Sequence, residues 1–356
     1  MANAINYKWE KLPTMPTRRV YATVIEAEGF LYVIGGCDAR GTALDVFECY
    51  NPKKKKWLRL QNIPTQRAAP AVVAVNKQVV VIGGLSGPND PTDAVEVYDI
   101  GQKTWITDKK NMGEELQGMA AVLHRNNPLV VGGMRKDSNP TGRCSVLDLE
   151  ENCWKELPDL PTPRYASTLH LNGDKLYVLG MFYKLYLGGA GGRQGKLPCP
   201  SLEMLDLSVT PDPSWVTLKD IPFYGVFPAT VMTDNKFYVL GGLKKNAKEG
   251  FHNEFQEYDV EKDEWKQLPV LPRARTDFAA GMVGGKIVIV GGLTNSQTPL
   301  TDAFAYESDI QKWTKVGDIP TARGSHSNYM YGEKLLIVGG FTTSGLSNAL
   351  EMISPS

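Results

Sequence analysis

The seven tryptophans constrain this 356-residue chain more than any other feature. They are Trp9, Trp57, Trp105, Trp154, Trp215, Trp265 and Trp313, with steps of 48, 48, 49, 61, 50 and 48 residues. A large aromatic recurring at one interval through a whole chain marks stacked copies of one supersecondary unit, because each copy buries the same face against its neighbour. Two further rulers keep the same interval. A glycine lies 26 residues after six of the Trp and 27 after Trp105, giving Gly35, Gly83, Gly132, Gly180, Gly241, Gly291 and Gly339. The next residue is Gly36, Gly84, Gly133, Gly242, Gly292 or Gly340 at six of these places and Met181 at the seventh. An Arg-x15-Gly spacing is met by Arg19, Arg67, Arg164, Arg275 and Arg323, with Leu116 and Gly225 in the other two places.

Within one unit, Arg67 to Trp105, the pattern is that of four strands. Small and β-branched residues run from Ala68 to Val75, and VVVIGG follows an Asn76-Lys77 turn and stops at Gly83-Gly84. A loop rich in Gly, Pro, Asn and Asp leads to the alternating AVEVYD, and a Gly-Gln-Lys turn leads into a last strand with Trp105. Alternation, β-branched enrichment and turn residues together predict an antiparallel meander. Seven four-stranded units of about 50 residues predict an all-β, seven-bladed β-propeller. The units fall at approximately 18–60, 67–109, 116–157, 164–218, 225–268, 275–316 and 323–353, and together they use up the chain as a single domain. The last unit lacks a Trp strand and residues 7–12 are a Trp strand without a unit, so 7–12 is expected to complete the seventh blade and close the ring.

Gly-Gly closing a strand, with Tyr seven residues before Trp at Tyr50, Tyr98, Tyr258 and Tyr306 and Leu147 in that place before Trp154, resembles the kelch repeat. RRVYATV from Arg18, VIGGCDARG from Val33, PTPRYAST from Pro161 and GRQGKLP from Gly192 resemble most the short proteins of the kelch domain-containing protein 8 group. The resemblance implies a propeller that holds a protein partner, with a link to cell division or the cytoskeleton.

Small residues after each Arg, as in AAPAVVAV from Ala68, place that strand innermost, where bulky side chains would collide near the axis. Tyr and Trp are expected on the outer strands, filling the widening wedge between blades. The recurrent Arg, always after Pro-x-x, is expected to bond carbonyls of its own blade connection rather than form an anion-binding ring. Two places break the rulers. The 61-residue step holds the insert MFYKLYLGGAG from Met181 to Gly191, read either as an apolar loop on one face or as an artefact of the gene model. LKKNAKEGFHNEF after Gly242 lengthens its loop and makes it basic.

Lys plus Arg equals Asp plus Glu at 39 each, so no net field draws a polyanion, and neither nucleic acid nor an anionic membrane is expected as a main partner. Five Cys without paired spacing are expected as free thiols, the absence of an apolar leader or a long apolar run leads to a cytoplasmic expectation, and the chain is expected to be a monomer. Enzymes of this fold need convergent metal ligands. Here His124, His170, His252 and His326 fall on four different blades and none follows an E-x3-D-x3-H pattern, so neither a metal nor any other cofactor is expected. No Cys has a His close in sequence to activate it. Lys53 to Lys56 resembles a nuclear import patch, but its register is that of a solvated hairpin turn.

What remains is a binding module without catalysis. The loops after Gly-Gly and around the Arg ring the channel mouth and can vary without disturbing the blades. By register they present Tyr21, Gln117, Tyr165, Phe227, Asp277 and His326 on one set of loops, and Asp38, Arg135, Lys136, Arg193, Lys244 and Asn295 on the other. Aromatics among Arg and Lys would suit an acidic or aromatic peptide. The expected function is a scaffold or adaptor that binds a protein or peptide at the mouth; the alternative is a degron reader joined to a ubiquitin ligase by a separate linker protein.

Overall fold

In the computed structural model, residues 5–106, 109–180, 182–186, 194–233, 235–244 and 249–356 are described. Every regular element among them is a strand, arranged as seven four-stranded antiparallel sheets and three short two-stranded ones. Blades 1 to 7 begin with strands Thr23–Ala27, Ala71–Val75, Ala120–His124, Thr168–Asn172, Ala229–Met232, Ala279–Val283 and Ser327–Tyr331. Each is the innermost strand of its sheet and lies against the innermost strands of neighbouring blades. Blades 4 and 5 are the exception, since their inner strands approach each other least of the seven neighbouring pairs.

The chain is therefore a seven-bladed propeller, closed by its N-terminal strand. Tyr7–Leu12 pairs antiparallel with Leu350–Pro355, from Tyr7 opposite Pro355 to Leu12 opposite Leu350, and so forms the outer strand of blade 7. The core is a set of apolar layers between blades. Ala71, Val80, Ile82, Val95 and Val97 of blade 2, for example, pack on Met119, Val130 and Leu147 of blade 3. Small inner residues in blades 2 and 6, with large outer ones, match the wedge shape of these layers, whereas blades 4 and 7 carry TLHLN and SNYMY on their inner strands. Tyr50, Tyr98, Tyr258 and Tyr306 stand directly opposite Trp57, Trp105, Trp265 and Trp313, with ring centroids 4.9–5.3 Å apart.

The Trp periodicity has a polar cause as well. Six indole N–H groups donate to a backbone carbonyl of the preceding blade: Trp57 to Pro13, Trp105 to Gln61, Trp154 to Lys110, Trp215 to Pro158, Trp265 to Lys219 and Trp313 to Pro269, at 2.7–3.0 Å. A ring that packs on one neighbour and bonds to it as well cannot be replaced by Phe without orphaning a carbonyl. The buried Trp9 N–H finds no such acceptor among the described residues.

The insert is not a loop throughout. Phe182–Tyr186 pairs antiparallel with Gln194–Pro198 as a two-stranded arm between the second and third strands of blade 4. In the basic loop after Gly242, residues 245–248 lie outside the described residues.

Candidate functional site

The channel mouth is built from the Arg segments upward. Arg19, Arg67, Arg164, Arg275 and Arg323 are fully buried. They do bond carbonyls, as expected: Arg19 to Gly35 and Val46, Arg67 to Gly83 and Ala94, Arg323 to Ile337. Each also meets a carboxylate: Glu48, Glu96, Glu203, Asp302 and Glu351 respectively, at 2.5–2.8 Å. In four blades a Thr two residues before the Arg donates its hydroxyl to the same Glu, as Thr65 does to Glu96 at 2.6 Å. The two blades without Arg carry Ser145 and Gln256 at the Glu position, so cation and anion are lost together. Gln256 instead exchanges two bonds with the backbone of Phe223. A buried charge without its partner is costly, and blade 6, which keeps Arg275 but has Phe304 at the Glu position, supplies Asp302 from two residues earlier instead.

The glycine pairs join the blades at the same level. The second glycine donates its N–H to the carbonyl of the Arg position in the next blade: Gly36 to Arg67 at 3.0 Å, Gly133 to Arg164 at 2.9 Å, Gly242 to Arg275 at 2.9 Å and Gly340 to Arg19 at 3.4 Å, with Gly84 and Gly292 alike. The approach excludes a side chain, for a Cβ on Gly35, which sits at φ 59°, would lie 2.1 Å from the Arg67 oxygen. At Gly180 the nearest such atom is the Cys199 oxygen at 4.0 Å, and a small cavity lined by Leu179, Cys199, Ile221, Tyr224 and Pro228 opens there.

Two residues after each Arg position the backbone turns left-handed in all seven blades: Tyr21, Ala69, Gly118, Ala166, Phe227, Asp277 and Ser325, with φ between 46° and 61°. These residues form the inner rim of the channel. Their backbones link blade to blade, Ala69 N–H to Tyr21 O at 2.9 Å, Ala166 to Gly118 at 2.5 Å and Ser325 to Asp277 at 3.2 Å. Bulky side chains are uncommon at positive φ, and here they point away from the core: Tyr21 is 59 % and Phe227 43 % exposed. Phe223, Tyr224 and Phe341 are exposed on connections of the same face. Every exposed large aromatic among the described residues thus stands on that face.

The other sequence-derived candidates divide. Asp38 is taken up by its own loop, accepting the N–H groups of Arg40 and Thr42 at 2.9 Å, which hold its carboxyl below the usual range. Arg135 pairs with Glu114 at 2.5 Å and Thr141 at 3.0 Å, and Lys136 pairs with Asp90 at 2.7 Å. Tyr165 is half-buried against Gly118 of blade 3, and burial pushes its phenol up to about 12. Lys244 is half-buried, with its N–H on the Gly250 carbonyl. Arg193 lies outside the described residues. His326 does not open onto the mouth, contrary to its register: it is buried, with Gly291 and Gly340 as neighbours, neither ring nitrogen has a partner among the described residues, and desolvation pulls its pKa to about 3.

Sequence reasoning missed Phe223, Tyr224 and Phe341. Phe223 and Tyr224 occupy the places of Thr and x in the Pro-Thr-x-Arg segment, and Phe341 directly follows Gly340, so each had a register signal. Lys53, Lys54 and Lys55 lie exposed on the opposite face, where Lys55 pairs with Glu10 of blade 7 at 2.5 Å. No group of three His, Cys, Asp or Glu that could hold a metal occurs among the described residues, and no helix there is long and apolar enough to cross a membrane.

A family model, the KLHDC2/KLHL20/DRC7 Kelch-repeats domain, matches residues 1–180 and 191–356. The chain belongs to the Kelch-repeat propellers. The match leaves out 181–190, the heart of the insert in this Kelch propeller. Kelch domain-containing protein 8B of Homo sapiens is 33 % identical over 117 residues, 30 % of this chain and 32 % of that protein. Kelch-like protein 41a of Danio rerio is 29 % identical over 157 residues, 43 % of this chain and 23 % of that one. The matches span about a third or less of the length of these relatives. Among solved structures, that titled "Structure of YjhT" shares the fold, with a TM-score of 0.63 at 15 % identity over 85 % of this chain and 99 % of the other.

Proposed function

We propose that this Kelch propeller is a non-enzymatic interaction module, a scaffold or adaptor that holds a protein or peptide partner at the channel mouth. The reading is carried by the gathering of Tyr21, Phe223, Tyr224, Phe227 and Phe341 on one face. Exposed aromatics on a rigid frame supply contact area at little entropic cost, and aromatic and Arg side chains dominate binding energy at protein interfaces. Tyr21 and Phe227 form the centre of the contact, and Asp277, Tyr165, Arg135, Lys136 and Lys244 its surroundings. The frame explains how such side chains stay exposed: buried Arg-Glu pairs and Gly-to-carbonyl bonds fix the connections, so the loops do not collapse inward.

Proteins captured from extract are compared for the wild type, for a Tyr21→Ser/Phe227→Ser double variant with an unaltered unfolding midpoint, and for a variant with Lys53, Lys54 and Lys56 changed to Ser on the opposite face. Loss confined to the mouth variant is expected. Full capture by the mouth variant with loss in the lysine variant would put the site on the wrong face.

A further inference from the structure

We propose that the inner rim takes a basic side chain, a lysine or arginine of an extended partner segment, at Asp277 between the arcs that carry Tyr21 and Phe227. This rests on the reading that the partner sits at the mouth and adds its chemistry. The rim is unequal around its circumference. Blades 2, 3 and 4 present small residues, whereas Phe227, Asp277, Ser325 and Tyr21 follow one another on blades 5, 6, 7 and 1. Three small positions are therefore followed by an arc of aromatic, acid, hydroxyl and aromatic. The arc is held in place: Ser325 donates its N–H to the Asp277 carbonyl at 3.2 Å and its hydroxyl to the Asp277 carboxylate at 3.0 Å, and the Thr276 hydroxyl reaches the Phe227 carbonyl at 3.3 Å.

Among the described residues Asp277 makes no ion pair, and its one side-chain donor is the neutral Ser325 hydroxyl. Burial raises its pKa, and the carboxylate in turn adds to the upward push that burial gives the Tyr21 phenol, so the two lie within electrostatic reach across the mouth. Two of the cations expected on this face are matched, Arg135 by Glu114 and Lys136 by Asp90. Of the seven residues that form the inner rim, Asp277 alone carries a charge, and that charge is negative. A partly desolvated carboxylate flanked by exposed aromatic rings is the complement of an ammonium or guanidinium, which gains an ion pair and a ring face together. An acidic segment would meet repulsion there instead.

The test uses short Gly-Ser peptides, labelled at one end, with a central pair of arginines, glutamates or citrullines. Binding is followed by fluorescence anisotropy for the wild type and for Asp277→Asn, Tyr21→Ser and Asp309→Asn, the last removing one exposed acid from the opposite face. The arginine peptide is expected to bind wild type more tightly than either of the others and to lose about tenfold with Asp277→Asn, with no change for Asp309→Asn. Preferred binding of the glutamate peptide, lost in Tyr21→Ser, would overturn the basic partner while leaving the mouth as the site. Binding of the arginine peptide that ignores both rim substitutions would overturn this inference and the mouth reading together. No measurable binding of that peptide would also overturn the inference.

Discussion

Five blades bury an arginine, and each supplies a carboxylate at 2.5–2.8 Å to meet it. Blade 3 solves the same packing problem with Leu116 and Ser145. Removing one member of a buried pair leaves an uncompensated charge, whereas removing both does not. Glu96→Ser is therefore expected to destabilise the protein by about 3–5 kcal/mol, and Arg67→Leu/Glu96→Ser by much less than the sum of the single changes. Guanidinium unfolding of the cycle decides this, and additive losses would contradict it. His326 gives a pH prediction. Desolvation lowers its folded pKa from 6.5 to about 3, and that of His170 from 6.5 to about 4. Below 6.5 the unfolded chain binds these protons and the folded one does not, so their contribution is fully present above pH 6.5 and is lost as pH falls toward the folded values. Phe278 holds the position of His326 one blade earlier. His326→Phe is thus expected to fold at neutral pH and to show a shallower fall of the unfolding midpoint between pH 6.5 and 4 than wild type.

At the scale of elements, the closing strand and the arm are opposites. Tyr7–Leu12 pairs along its whole length with Leu350–Pro355, and Tyr7 and Trp9 pack on the apolar layer between blades 6 and 7. Its loss would expose a strand edge and open that layer. Deleting residues 1–12 is expected to lower the midpoint of the entire thermal transition; an unchanged midpoint would mean that the strand is dispensable. The arm, by contrast, pairs only with itself among the described residues, and residues 181–190 fall outside the family match. Shortening a connection changes closure entropy by only ~0.6 kcal/mol per halving, so a chain lacking 181–190 is expected to unfold within about 1 kcal/mol of wild type. A larger loss would show that the arm packs on the ring.

The whole molecule is a ring whose seams are not equal. Six Gly-to-carbonyl bonds tie blades together, and the seam between blades 4 and 5 combines the widest glycine approach, a cavity and the least contact between inner strands. Regions with few buried contacts open first. Hydrogen exchange is expected to find Thr168–Asn172 and Ala229–Met232 less protected than Ala279–Val283, and equal protection of all inner strands would remove this seam from consideration.

The blade count, the closing strand and the aromatic wedge were legible from the Trp, Gly-Gly and Tyr intervals, because repetition forces each copy to bury the same face. Arg19 and its equivalents could be read as structural from their recurrence alone. Their carboxylates could not, since Glu48 lies 29 residues from Arg19 and only the return of the third strand brings the two together. Register also placed Tyr21 and Phe227 at the mouth, but an interval carries no direction for a side chain. His326 lies one residue further along than the rim position and turns inward, while Ser325 turns left-handed on the rim. Arg135 and Lys136 read as open cations in the sequence, and Glu114 and Asp90 on neighbouring connections neutralise them in space. Local period determines the blades; the meeting of distant loops at the axis decides which charges are neutralised.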